Sequence, residues 1–184
     1  MHITGVLVLL IFVVLMTAVL LFLLHLTRLG KLIHEHIPER PHRRLFLASI
    51  SFFITFLAVR LLVVAVVHHI GPFTWVTMGG RHIHHLVWGI LILLAVGYGY
   101  LLELGSEGTS RSIFVGALMS ILFGAGAALT LDEFALWLNL ENDYWNKQGR
   151  ESIDAVILFG ALLAIGTWGA PLFSALLGKK KVPR

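Results

Sequence analysis

The sequence predicts an all-α, polytopic membrane bundle of about five transmembrane helices, and three observations carry that prediction. Of 184 residues, 58% are hydrophobic and only 13% charged, about half the charged share of a soluble domain. Mean hydropathy is +0.88. Five separate apolar stretches each reach the roughly 20 residues that a hydrocarbon core about 30 Å thick requires. None alternates polar and apolar residues as barrel strands do, so the bundle is helical. The same composition excludes a cytosolic enzyme and a disordered chain. With no cysteine in the sequence, disulfides, thiolate metal sites and cysteine nucleophiles are excluded. The formal charge of +4 reads as membrane orientation and not as nucleic-acid binding.

The stretches cover residues 3–26, 45–67, 82–102, 113–131 and 155–177 of one domain spanning 1–184. The first has no basic leader, is longer than a signal-peptide core of about 7–15 residues, and is not followed by an A-x-A site, so it is expected to be a span. Residues 27–44 place Leu29, Leu32, Ile33 and Ile37 among basic residues and carry Pro38 and Pro41. That pattern predicts a short amphipathic helix on the inner membrane surface, with His34, His36 and His42 near anionic lipid. In the third stretch His82 and His85 share a helical face, which continues through Gly89, Leu93 and Gly97. The fourth repeats Gly116, Ser120, Gly124, Ala128 and Asp132 every four residues. Small residues in such a row allow close helix packing, here expected against Gly89 and Gly97 of the third stretch. The apolar run resumes after Asp132 and Glu133 with Phe134, and Pro171 interrupts the fifth stretch.

Basic residues set the orientation. Arg28, Lys31, Arg40, Arg43, Arg44, Arg111, Lys179, Lys180, Lys181 and Arg184 fall on one side, against Arg81, Lys147 and Arg150 on the other. The positive-inside rule then puts the N-terminus outside and the C-terminus in the cytoplasm, in a bacterial inner membrane. Single cysteines at Lys180 and Asn146, probed on intact cells with an impermeant thiol reagent, should label only at Asn146. Labelling at Lys180 alone would invert this topology.

With that topology the ionisable residues crowd the outer face. His68 and His69 end the second span, and Arg81, His82, His84 and His85 open the third. Asp132 and Glu133 close the fourth, followed by Glu141, Asp143, Glu151 and Asp154. Histidine with carboxylate is the ligand set for zinc, iron or manganese where thiolates are absent. The expected metal ligands are His82, His85, Asp132, Glu133, Asp143 and Asp154. Asp154 also admits pairing with Arg150 or a helix-dipole role. Arg60 lies about 22 Å along a helix from Leu45, at a depth comparable to the carboxylates. An intramembrane arginine needs a partner, here Asp132 or Glu133, or a lipid phosphate. Glu133 is expected as proton shuttle, and Arg60 as the group that holds substrate charge or orients Asp132. Glu141-Asn142-Asp143 opens like a calcium loop, but Trp145, Lys147 and Gly149 occupy positions unsuited to it.

Three segments carry a resemblance: Arg81-His82-Ile83-His84-His85-Leu86-Val87-Trp88-Gly89, then Leu129 through Leu138 with its Asp132-Glu133-Phe134 centre, then Tyr144-Trp145 with Gly149-Arg150-Glu151-Ser152-Ile153-Asp154. Together they resemble a group of small uncharacterised bacterial integral membrane proteins, over roughly the second half of the chain. The resemblance implies a bacterial membrane protein and no particular activity. At the level of fold alone, the outer His and Asp groups also resemble membrane hydrolases of the alkaline ceramidase and adiponectin-receptor type. This sequence lacks their C-terminal H-x-x-x-H pair.

The expected function is therefore a membrane protein with a His/carboxylate site for a divalent metal near the outer leaflet, as a metal-dependent enzyme on a lipid or lipid-linked substrate. Membrane lipid is the expected partner, and nucleic acid is not. Two alternatives stay open: a cation or proton transporter or sensor, and a non-catalytic accessory subunit.

Overall fold

A computed structural model describes residues 3–71, 73–74, 77–78, 81–82, 84–134 and 149–168. The described residues form six helices: α1 (Gly5–Leu26), α2 (Arg28–His36), α3 (Arg40–Val67), α4 (His85–Leu101), α5 (Ser110–Leu131) and α6 (Gly149–Trp168). Between them lie four two-residue strands: β1 (Ile3–Thr4) pairs in parallel with β2 (Phe73–Thr74), and β3 (Thr77–Met78) antiparallel with β4 (Arg81–His82). Two helices, α3 and α5, are long and apolar enough to cross a membrane.

α5 is the central element, packed against α3, α4, α1 and α6. Its sequence explains why. Gly116, Ser120, Gly124, Ala125, Gly126, Ala127 and Ala128 are all buried, so neighbouring backbones can approach it on more than one side. On the α3 side, a Cβ on Gly124 would meet the Ala48 carbonyl oxygen at 2.1 Å and the Phe52 amide nitrogen at 2.9 Å. On the α4 side, a Cβ on Gly89 would sit 2.7 Å from the Gly126 carbonyl oxygen and 2.4 Å from the Thr130 hydroxyl.

This corrects the expected partner of the four-residue row. Gly124 packs against α3, and α4 instead takes the opposite face through Gly89 and Gly126. Gly97 has no atom within 4 Å of a Cβ position and faces away from the core. Two residues of advance turn a helix about 200°, so Gly124 and Gly126 serve opposite sides of α5.

Helix ends follow local chemistry. Thr109 caps α5 by accepting the Ser112 amide on its hydroxyl. α3 stops with His69 at φ 54° and the Ile70 amide bonded back to the Ala65 carbonyl. α4 stops likewise, with Glu103 at φ 56° and the Leu104 amide on the Gly99 carbonyl. Both are Schellman-type terminations. His68 and His69 are thus exposed helix-end residues, which accounts for them without a site. α2 follows α1 directly, as the amphipathic pattern of residues 27–44 predicts.

Candidate functional site

The last turns of α3 and α5 meet the first turn of α4 at one end of the bundle. α5 ends at Leu131, and its last turn carries Asp132 and Glu133 into the protein with side chains 0% and 3% exposed. A carboxylate so placed survives only if opposite charge or hydrogen bonds replace its lost water.

Every carboxylate oxygen has a partner of that kind. Asp132 Oδ1 lies 2.5 Å from Arg60 Nε, and Oδ2 lies 3.0 Å from His85 Nε2. Arg60 also donates through Nη2 to the Asp132 backbone carbonyl at 3.3 Å. Its guanidinium stands 5.3 Å from the centre of the Phe56 ring, one turn earlier on α3, in cation–π range. Glu133 Oε1 lies 2.8 Å from His84 Nδ1 and 3.5 Å from His85 Nδ1. Glu133 Oε2 accepts the Leu86 amide at 3.0 Å. That last bond satisfies one of the free amides of the first turn of α4, where a negative charge also meets the positive end of the helix dipole. His84 stands at the cap position but makes no cap bond with its own side chain; the acid arrives from α5 instead.

The charges nearly balance. One guanidinium opposes two carboxylates, leaving a deficit that one imidazolium or one bound cation would fill. His85 has a carboxylate oxygen facing each ring nitrogen.

The structure brings together Arg60, His85, Asp132 and Glu133, all singled out by sequence. It adds His84. A straight helix running through His82, His84 and His85 would fan their side chains about 100° per residue. The helix begins only at His85, and His84 is extended at φ −72° and ψ 145°. Two adjacent histidines can therefore reach two adjacent carboxylates. The turn signal Gly79-Gly80 just upstream was the available clue to a late helix start. His82 lies in β4 and Asp154 in α6, with side chains outside the described residues; Asp143 lies outside them altogether.

Among the described residues no three His, Asp or Glu side chains surround a common point as ligands of an ion would. The side chains instead pair with one another, and each histidine is held by a buried carboxylate. No protein-family model, curated protein or solved structure matches the chain.

Proposed function

We propose that the protein is a multi-pass membrane protein of about five spans whose working centre is the Arg60–Asp132–His85–Glu133–His84 cluster, near the outer leaflet of a bacterial inner membrane. Its reading as a membrane protein is supported by the large apolar side chains left on the surface of several helices. Val14, Leu57, Leu61, Leu94, Leu158 and Leu162 are all more than half exposed, a surface that hydrocarbon tolerates and water penalises.

We infer that the centre serves a metal-dependent reaction on a lipid or lipid-linked substrate. The observation that carries this reading is the holding of two adjacent imidazoles by two buried carboxylates. A histidine fixed by a carboxylate on one ring nitrogen is the usual second-shell support of a metal ligand. The geometry thereby shifts the roles that sequence suggested. His84, held at Nδ1 by Glu133, becomes the nitrogen donor for zinc, iron or manganese, and His85, which has a carboxylate at each ring nitrogen, joins it only by releasing one of them. Arg60 is committed to Asp132, so it acts as a positioning residue for that carboxylate. A divalent ion there would polarise a substrate carbonyl or phosphoryl group, or make bound water acidic. Among the histidines and carboxylates of the cluster, His84 has the most exposed side chain, 21% against 15% for His85 and 0% for Asp132, and is the one best placed to meet substrate.

A second reading, cation or proton transport or sensing, draws on the fact that three of the four carboxylate oxygens meet hydrogen-bonding partners of the protein and the fourth is ion-paired with Arg60. Against it, several hydroxyls along the α3–α5 core are spent on backbone carbonyls. Ser51 donates to the Ile121 carbonyl, Ser120 to Gly116 and Thr130 to Gly126. Such bonds leave few donors for a polar path through the bundle.

Metal content decides between these. Purified wild-type protein should hold one divalent ion per chain, His84→Ala should hold none, and Glu133→Gln should bind about 10–100-fold more weakly. Wild-type protein that stays metal-free after incubation with each of the three ions, while remaining folded, would overturn the metal reading.

A further inference from the structure

The opposite end of the bundle holds a second concentration of charge, unconnected with the histidine cluster. α3 begins with Arg40, Arg43 and Arg44, all half-buried. Arg40 donates to the Ser106 and Glu107 carbonyls, and Arg43 to those of Ile37 and Pro38. Arg44 donates to the Gly105 carbonyl. Gly105 has φ +79°, and a Cβ there would meet the Gly116 backbone at 2.7 Å. Arg44 in turn lies where a Cβ on Gly116 would stand. The α4–α5 loop is therefore locked against α3 with the guanidinium groups gathered at the junction.

These contacts use only neutral carbonyls. Among the described residues, no Asp or Glu lies within ion-pair distance of any of the three arginines. Three half-buried cations gathered without an acid repel one another and attract an anion. They border an open pocket together with His34 of α2. Leu24, Leu47 and Ile113 line the same pocket.

We propose that this pocket binds a phosphate group, and that its occupant is the head group of an anionic phospholipid. Guanidinium forks match phosphate oxygens in geometry and charge. The apolar side chains that line the pocket alongside the arginines suit the start of an acyl chain, which a soluble phosphate lacks. The amphipathic helix α2 lies beside the pocket, as a segment resting on a lipid surface does. On the positive-inside topology, this end faces the leaflet where anionic lipid attracts basic segments.

The test is thermal unfolding of the full-length protein in neutral detergent with added phosphatidylglycerol, phosphatidylcholine or sodium phosphate. Phosphatidylglycerol should raise the Tm by several degrees, and the gain should shrink as salt rises. Phosphatidylcholine and sodium phosphate should do little. Arg40→Gln/Arg43→Gln should abolish the gain and Arg40→Lys/Arg43→Lys should keep part of it. Arg28→Gln, an exposed charge of α2 outside the pocket, should leave it unchanged. Should the double glutamine variant fold poorly, Arg40→Gln alone, which gives up only loop carbonyls, should still cut the gain. Equal gains from the two lipids, or a full gain in a folded glutamine variant, would overturn the site. A full gain from sodium phosphate alone would overturn the lipid as its source.

Discussion

Gly124→Leu should abolish folding of the bundle in detergent, while Gly97→Leu, on another small-residue position in an apolar helix, should leave it intact. At Gly124 even the first added carbon would stand 2.1 Å from the Ala48 carbonyl oxygen and 2.9 Å from the Phe52 amide nitrogen. Both obstacles are backbone, so no rotamer change relieves them. α3 and α5 would have to separate along a contact that buries Phe52, Ala128 and Ile121 completely. Ordinary overpacking costs about 1–3 kcal/mol, and a displaced helix pair falls at or above the top of that range. At Gly97 a Cβ meets nothing within 4 Å. Replacing a helical glycine there should be neutral or slightly stabilising, because glycine costs about 1 kcal/mol of helix propensity. Size-exclusion profile and Tm of the two variants give the comparison. Equal behaviour would show that the α3–α5 contact is wrongly assigned.

That contact also marks how far the sequence could be read. Hydropathy places apolar stretches at 3–26, 45–67, 82–102, 113–131 and 155–177, which overlap helices Gly5–Leu26, Arg40–Val67, His85–Leu101, Ser110–Leu131 and Gly149–Trp168, and a four-residue recurrence of small side chains says that α5 packs closely within the chain. They did not identify the partner. A small residue signals that some backbone comes near and says nothing of which one, because glycine carries no side chain to be matched. α5 has small residues around much of its surface, so sequence alone does not divide Gly124 from Gly126 between two neighbours. Gly97 shows the converse: it continues the four-residue spacing from Gly89 yet touches nothing.

The charged end was more legible because charge inside apolar helices leaves few arrangements. Arg60 and Asp132 are 72 residues apart, but each needs an opposite charge, and sequence narrows the partner of Arg60 to Asp132, Glu133 or a lipid phosphate. His85 was legible on other grounds, as a histidine on the same outer face as the two carboxylates. His84 was not, because its role depends on a single extended residue just before α4, and helix starts are set by short-range turn geometry that hydropathy does not register. The closing bond from the Leu86 amide to Glu133 was likewise invisible, since any helix start offers free amides and sequence does not say which acid reaches them. His68 and His69 carried the same compositional signal as the clustered histidines. They instead belong to the end of α3, where left-handed geometry at His69 closes the helix.

Asp132→Ala should destabilise the protein by about 3–5 kcal/mol, the usual cost of removing one partner of a buried ion pair. The loss has two sources. Arg60 would keep its charge but lose its carboxylate, with the backbone carbonyl of residue 132 at 3.3 Å and the Phe56 ring at 5.3 Å as weaker contacts, and His85 Nε2 would lose the oxygen now 3.0 Å away. Arg60 is 26% exposed, so its long side chain can turn partly toward solvent or head groups, which limits the penalty. Asp132→Asn keeps the shape and one acceptor, and should cost less than alanine. The decisive measurement is a double-mutant cycle on Tm and unfolding free energy with Asp132→Ala, Arg60→Leu and the double variant. If the pair is coupled as its 2.5 Å contact indicates, the double variant should be more stable than the sum of the singles by about 0.5–3 kcal/mol. Once Arg60 is gone, deleting Asp132 no longer strands a cation. Strict additivity would mean that the two charges are solvated independently. The helix ends would then be held by packing and by the Glu133–His84 and Glu133–Leu86 bonds, with Asp132 contributing nothing through Arg60.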